Sequence, residues 1–288
     1  MIIASNSKAL AEHLDAFKQQ GKRIGFVPTM GNLHDGHLAL VDHAHRCCDA
    51  VVVSIFVNPK QFGPNEDLEA YPRTLEADLA QLAARGTALV FTPTADDIYP
   101  HGVNAHTTVS VPGLTNVLCG ASRPGHFDGV STVVCKLLCL VAPDVAVFGQ
   151  KDLQPLLLIT KMATDLAMPV RIIGAPTARA DDGLALSSRN GYLSAQERTL
   201  APQLFQTLSA IGSEITKGER NYVALCSEHS KVLSNAGFIV DYLEVRRCSD
   251  LTHASANDKH IGVFVAAKLG QTRLIDNIQL ELTDAVAP

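Results

Sequence analysis

The sequence predicts an α/β protein, a parallel sheet wrapped by helices, followed by a smaller C-terminal α+β domain. Two patterns carry that expectation. Through the first two thirds, short β-branched runs alternate with stretches whose apolar residues recur at helical spacing, and the runs are continuously apolar, as strands buried on both faces must be. After about Ala175 the rhythm changes to two helical stretches followed by consecutive strands.

The strands of the first part are expected at "RIGFVP" (residues 23–28), "AVVVSIFV" (50–57), "ALVFTP" (88–93), "DVAVFG" (144–149) and "VRIIGAP" (170–176). Helices are expected between them at 36–48, 74–85, 130–141 and 153–166, and "TTVSV" (107–111) alternates like an edge strand. In the second part, helices are expected at 194–211 and 221–236, then strands at "IVDYLEVR", "IGVFVAAKL" and "RLIDNIQL". The domain boundary falls in the Gly- and Asp-containing segment 175–190, giving domains 1–176 and 177–288.

Composition excludes several function classes. A chain of 288 residues, 47% apolar, has enough material for one large or two smaller cores. A net charge of -5 argues against a nucleic-acid footprint, which needs clustered excess Lys and Arg. Apolar runs stay short of the ~20 residues a membrane span requires, and "MIIASNSKALAEHL" lacks the basic and apolar regions of a signal peptide, so a cytoplasmic location is expected. The seven cysteines contain no CxxC spacing; Cys135 and Cys139, four apart in an apolar helical stretch, are expected as small core hydrophobes.

Open α/β sheets bind ligands outside the carboxyl ends of their strands, and three loops there hold unusual polar residues. After the first strand comes "PTMGNLHDGHLALV", where a helix opening near Gly36 places His34 just before it and His37 in its first turn. A helix N-terminus attracts anions, and two imidazoles add donors suited to phosphate. His43 and His45 cannot join them in a metal site, because helical geometry turns His43 away and puts His45 about three turns further along. The plain alternative is a pair of exposed capping histidines. After the second strand, Lys60, Gln61, Glu66 and Asp67 read either as a ligand loop or as a solvated one. After the fourth, Lys151 and Asp152 read as a nucleotide site or as a helix start with Asp152 as cap. "LSSRN" places two hydroxyls and a guanidinium together, a second phosphate clamp or a solvated turn.

Following a strand, "HDGH" resembles the HxGH signature of the nucleotidyltransferase superfamily. Taken in order, "VPTMGNLHDGHLALV", "VSIFVNPKQFGPNEDLEAYPRT", "RPGHFDGVSTVV", "FGQKDLQ" and "DGLALSSRNGYLS" resemble the AMP-forming pantoate and β-alanine ligases, the pantothenate synthetase family, over roughly residues 23–195. The resemblance implies a Rossmann-like N-terminal domain, a smaller C-terminal lid domain and a homodimer. It also implies ATP-dependent condensation of pantoate with β-alanine through pantoyl adenylate, releasing pyrophosphate and AMP.

Carried over residue by residue, the resemblance implies ATP against Met30, Gly31, Asn32, Leu33, His34, Asp35, Gly36 and His37, with His34 and His37 stabilising phosphate charge and His37 the candidate proton donor. It implies that Gly149, Gln150, Lys151 and Asp152 hold the nucleotide, with Lys151 at the phosphates and Asp152 at the ribose. Leu186, Ser187, Ser188 and Arg189 are implied to close over the triphosphate and Ala178 to touch adenine. Gln61 matches the side chain that binds pantoate, with Asn58 beside it, and Arg123 and His126 line the pantoate end. Mg²⁺ is implied on ATP oxygens and water, with Asp78, joined by Gln81, as the protein contact.

Three positions depart from the family's usual Gly-Glu-Lys-Asp-aromatic-Gln-Gln: Gln150 replaces the acid, Leu153 the aromatic, and Pro155 the glutamine that helps bind pantoate. As backbone, a proline in the first helical turn lacks only an N–H that has no intrahelical partner. As chemistry, it removes an amide. A ligase of the same design acting on another hydroxy acid is therefore an alternative, as is a nucleotide-binding module without turnover.

Overall fold

The computed structural model describes residues 1–64, 66 and 68–283; Asp67 of the loop after the second expected strand lies outside them. Two compact units emerge, Met1–Gln150 with Gln154–Thr177, and Lys151–Leu153 with Ala178 onward.

The first unit contains, among the described residues, a six-stranded parallel sheet in the order β1-β4-β3-β2-β5-β6. Its strands are β1 (Ile2–Ala4), β2 (Ile24–Thr29), β3 (Ala50–Ile55), β4 (Leu89–Phe91), β5 (Val145–Gly149) and β6 (Arg171–Ala175). The helices are α1 (Ser7–Gln19), α2 (Asp35–Cys47), α3 (Leu75–Ala84), the short α4 (Ala95–Ile98) and α5 (Cys119–Ser122), α6 (His126–Val141) and α7 (Leu153–Asp165). Central strands are apolar on both faces because both are covered: Val51, Val52 and Val53 of β3 are fully buried. One core joins Val27, Val51, Val53, Val145 and Val147 of the sheet to Leu38, Val41 and Ala44 of α2.

Connections leave β2 in both directions, toward β3 and β4 on one side and, past β5, to β6 on the other. The order reverses between β2 and β5, and such a switch point leaves a crevice outside the strand ends where this topology binds ligands. The loops that follow β2 and β5 are two of the three singled out by sequence; the third follows β3.

In the second unit the described residues form α8 (Ala195–Leu200), α9 (Gln203–Thr216), α10 (Tyr222–Asn235) and an antiparallel sheet of β7 (Phe238–Arg247), β8 (His260–Leu269) and β9 (Thr272–Glu281) in chain order. Leu204, Leu208, Ile211 and Ile215 form the buried stripe of α9 and share a core with Val263, Val265 and Ala267 of β8.

Several expectations are corrected. Residues 107–111 form no strand: the Val109 N–H donates to the Thr132 hydroxyl (2.9 Å), and its carbonyl accepts from the Ser131 hydroxyl (2.5 Å), so helix side chains take the groups a ladder would use. The helix expected over 194–211 is two, α8 and α9, because Pro202 at the junction has no N–H to continue the first. Cys139 is exposed and Cys135 half-buried, since the core face of α6 passes through Phe127, Ser131, Val134, Leu138 and Val141. The edge strand β1 and helix α1 are additions: the three residues of β1 are too few for a periodic signal, whereas α1 does carry one, in Leu10, Leu14 and Phe17 at helical spacing.

Candidate active site

The loop leaving β2 is built by short polar contacts. Thr29 ends the strand with its hydroxyl donating to the Ser54 carbonyl (2.8 Å) and accepting the Gly31 N–H (3.2 Å). Gly31 (φ 81°) and Asn32 (φ 50°) then adopt left-handed backbone, and a Cβ on Gly31 would stand 3.0 Å from Ile55 Cγ2 and 3.1 Å from Asp78 Oδ2. That turn is held from α3. The Asp78 carboxylate, 1% exposed, accepts the N–H groups of Asn32 (2.9 Å) and Leu33 (2.8 Å) and the Thr74 hydroxyl (3.1 Å).

The turn delivers His34 as the N-cap of α2, its Nδ1 accepting the Gly36 N–H at 3.1 Å. Asp35 and Gly36 begin the helix and His37 follows, its ring tilted against that of His34 with centroids 4.1 Å apart. Two imidazoles beside a helix N-terminus suit an anion. His43 instead pairs with Arg46 (3.1 Å), and His45 is exposed.

The loop after β3 forms a second cluster. Asn58 caps the short helical turn Pro59–Gln61 and donates to Gln61 Oε1 (3.1 Å), while Gln61 Nε2 lies 3.1 Å from Met30 Sδ. The loop lies so close to α6 that a Cβ on Gly129 would sit 2.5 Å from the Lys60 carbonyl. From the start of α6, His126 Nδ1 donates to the Gln61 carbonyl (2.8 Å). A carbonyl only accepts, so Nδ1 carries the proton, and Nε2 receives Arg123 (3.0 Å). The Arg123 guanidinium is itself engaged by Glu66 through two bonds, 2.6 and 2.5 Å.

Burial pushes the Glu66 carboxyl up, but the bonds and charge of Arg123, helped by the Gly63 N–H and His126, outweigh it and hold the group below its ordinary value of 4.5. A carboxylate with a depressed folded value stabilises the native state fully above the unfolded value, and that contribution is lost as pH falls through the folded value. The Tm difference between the native chain and Glu66→Gln should therefore be full at neutral pH and close only below about pH 4.5. A difference that disappears between pH 6 and 7 contradicts this clamp; thermal melts across a pH series measure it.

At the exit of β5, Gly149 and Gln150 close the first unit's strand, and the chain enters α7. Pro155 is the third residue of α7, in its first turn as expected. Its neighbour Gln154 is buried and ties down the segment around α5, donating to the Leu114 and Val117 carbonyls (both 2.8 Å) and accepting the Cys119 N–H (3.2 Å).

Lys151 and Asp152 belong to the second unit. Their side chains stand 3.8 Å apart, and the Lys151 carbonyl accepts from Asn277 Nδ2 (2.8 Å) on β9. Asp276 next to it binds Arg179 through two bonds of 2.6 and 2.9 Å, and the guanidinium lies 3.8 Å over the Phe205 ring. The Ala178 carbonyl accepts the Leu186 N–H (2.9 Å), and Ser187 caps the turn Ser188–Tyr192 by accepting the Arg189 N–H (3.3 Å).

Within each unit the structure thus groups the residues singled out by sequence: Met30–His37 with Asp78, and Asn58, Gln61, Arg123 and His126 in the first; Lys151 with Asp152, and Ala178 with Leu186–Arg189 in the second. Sequence reading did not find the clamp roles of Gln154 and Asn277. Each stands among polar neighbours, Gln154 two places after Asp152 and Asn277 beside Asp276, so no local pattern marks it; only burial and its partners do. No group of three or more His, Cys, Asp or Glu is placed to hold a metal ion among the described residues.

Comparison with known proteins finds that residues 2–279 match the family described as Pantoate-beta-alanine ligase. The chain is 58% identical over 268 residues to the pantothenate synthetase of Pseudomonas putida, covering 93% of both proteins. It is 54% identical over 280 residues to that of Alcanivorax borkumensis, covering 97% of this chain and 98% of the relative. A crystal structure of pantothenate synthetase from Thermus thermophilus superposes with a TM-score of 0.89 at 43% identity, covering 96% and 99%. The pantoate-beta-alanine ligase of Francisella tularensis, complexed with beta-gamma ATP and beta-alanine, does so with 0.79 at 36% identity, covering 96% and 97%.

Proposed function

This chain belongs to the pantoate-beta-alanine ligase family, and from that premise we propose which of its residues carry the reaction. The reaction joins pantoate to β-alanine at the expense of ATP: the pantoate carboxylate attacks the α-phosphorus and expels pyrophosphate, then the β-alanine amine attacks the acyl carbon of pantoyl adenylate and releases AMP. Neither step needs a protein nucleophile. Both need stabilised phosphate charge and an acid held in line.

The observation that supports our assignment most is the close His34–His37 ring pair at the N-terminus of α2, beside the sheet's switch point. We assign to it the charge that builds on the phosphates as pyrophosphate leaves, with His37 as proton donor. Met30, Gly31, Asn32, Leu33, Asp35 and Gly36 shape the loop against ATP. Gly149, Gln150, Lys151 and Asp152 hold the nucleotide, Lys151 at the phosphates and Asp152 at the ribose; Ala178 meets adenine, and Leu186, Ser187, Ser188 and Arg189 the triphosphate. Gln61 receives pantoate, with Asn58 acting behind it and Arg123 with His126 fixing its loop.

Magnesium would be held by ATP oxygens and water and would offset phosphate charge. The Asp78 oxygens are already occupied by loop N–H groups and Thr74, so we assign Asp78 to the loop rather than to the metal. No described helix is long and apolar enough to cross a membrane. We propose a homodimer, which light scattering of the purified protein tests, and a cytoplasmic location, which fractionation of cells tests. For the reaction, purified protein is mixed with ATP, Mg²⁺, pantoate and β-alanine. AMP should appear with pantothenate in equal amounts, and the absence of both would overturn the assignment.

Pro155 supports a second reading, the same chemistry on a related hydroxy acid. Restoring the amide by Pro155→Gln should lower the pantoate KM about 2- to 10-fold, the equivalent of one hydrogen bond, with little change for ATP. An unchanged KM together with a better substrate in a panel of hydroxy acids would favour the second reading.

A further inference from the structure

The amide of Asn58 has only one orientation compatible with its surroundings. Its Oδ1 lies 3.3 Å from the Lys60 N–H, which only donates, and its Nδ2 lies 3.1 Å from the Gly129 carbonyl, which only accepts. Tyr99 completes the oxygen side, its hydroxyl 2.7 Å from Oδ1, and must therefore donate. The remaining Nδ2 hydrogen goes to Gln61 Oε1. All four hydrogen-bonding positions of Asn58 are used, and the residue is 1% exposed, so it reaches a substrate only through Gln61.

This order decides what Gln61 offers. With Oε1 turned to Asn58, its Nε2 donor end lies on the Met30 side, where a carboxylate or hydroxyl oxygen is matched and an ammonium group is not. We infer that Tyr99 is a positioning residue for acid recognition, fixing the Gln61 amide donor-end outward through Asn58; the inference rests on the assignment of Gln61 to pantoate. Tyr99 is suited to the task. Its ring is fully enclosed and packed edge-on against His106 (5.1 Å) and beside Phe56 (6.4 Å), and burial pushes its ionisation well above the ordinary range, so the hydroxyl remains a donor.

Tyr99→Phe removes the hydroxyl and keeps the ring. In the full chain it should raise the pantoate KM about 3- to 10-fold while the ATP KM and Tm stay near native. Gln61→Ala should raise the pantoate KM at least as much, and the double variant should be no worse than Gln61→Ala alone, because the effect passes through Gln61. A native pantoate KM in Gln61→Ala overturns the assignment of Gln61 and the inference with it. A raised KM in Gln61→Ala with a native one in Tyr99→Phe overturns the positioning role alone. Additive losses in the double variant, or equal rises for pantoate and ATP with a fallen Tm, also overturn it and mark Tyr99 as structural only.

Discussion

Replacing Lys151 or His37 with Ala is expected to slow formation of pantoyl adenylate by roughly 10²- to 10³-fold, the usual loss when one preorganised donor to developing charge is removed. The chemical reason is specific to the first half-reaction. As the pantoate carboxylate attacks, negative charge grows on the departing pyrophosphate, and an ammonium or imidazole there lowers the barrier more than it lowers the ground state. The second half-reaction, amine on adenylate, expels AMP, whose single phosphate needs less. Pre-formed pantoyl adenylate supplied with β-alanine should therefore be consumed by either variant far closer to the native rate. Folding should be spared: Lys151 lies in a 3₁₀ turn whose anchor is its backbone carbonyl on Asn277, untouched by the substitution. Pyrophosphate release in a single turnover reads the first step, and near-native release by either variant refutes the role assigned to it.

Asp78→Ala is expected to destabilise the first unit heavily. The carboxylate accepts two backbone N–H groups across about 45 residues of sequence, at 2.8 and 2.9 Å, in a place 1% exposed. Removing it strands both donors, at about 1–3 kcal/mol each, which corresponds to a Tm lower by roughly 5–15 °C. Asp78→Asn should also lose stability, because in either orientation its NH₂ opposes an N–H donor. The same pair of variants separates the loop role from the magnesium contact implied by family resemblance. A fallen Tm with an unchanged Mg²⁺ requirement supports the loop anchor. A native Tm with a Mg²⁺ requirement raised tenfold would return Asp78 to the metal.

Most of the sheet was legible because buried parallel strands announce themselves as continuous apolar runs, and β2, β3, β5 and β6 lie within two residues of where those runs predict. The errors share a cause. Residues 107–111 alternate like a strand, yet their backbone is satisfied by Ser131 and Thr132, partners no local pattern reveals. Cys139 follows the helical spacing of α6 but lies off its buried stripe, because which side of a helix is the inside depends on the neighbour it meets. Pro202 was available to the eye and divides the expected helix for a covalent reason.

The sequence alone determined the alternation of elements, the placement of His34 and His37 at a helix start, and the first-turn position of Pro155, since each follows from local spacing and backbone chemistry. Only the tertiary structure decided that the loops after β2 and β5 leave from the switch point, that Asp78 anchors the histidine loop, that Glu66 engages Arg123, and that Tyr99 orders Asn58 and Gln61. The contacts of Asp78 with Asn32, Glu66 with Arg123 and Tyr99 with Asn58 join residues 46, 57 and 41 positions apart. Their partners are chosen by which strands pair and which helices cover them, and a hydrogen bond acquires its identity only when burial leaves a polar group no water to turn to.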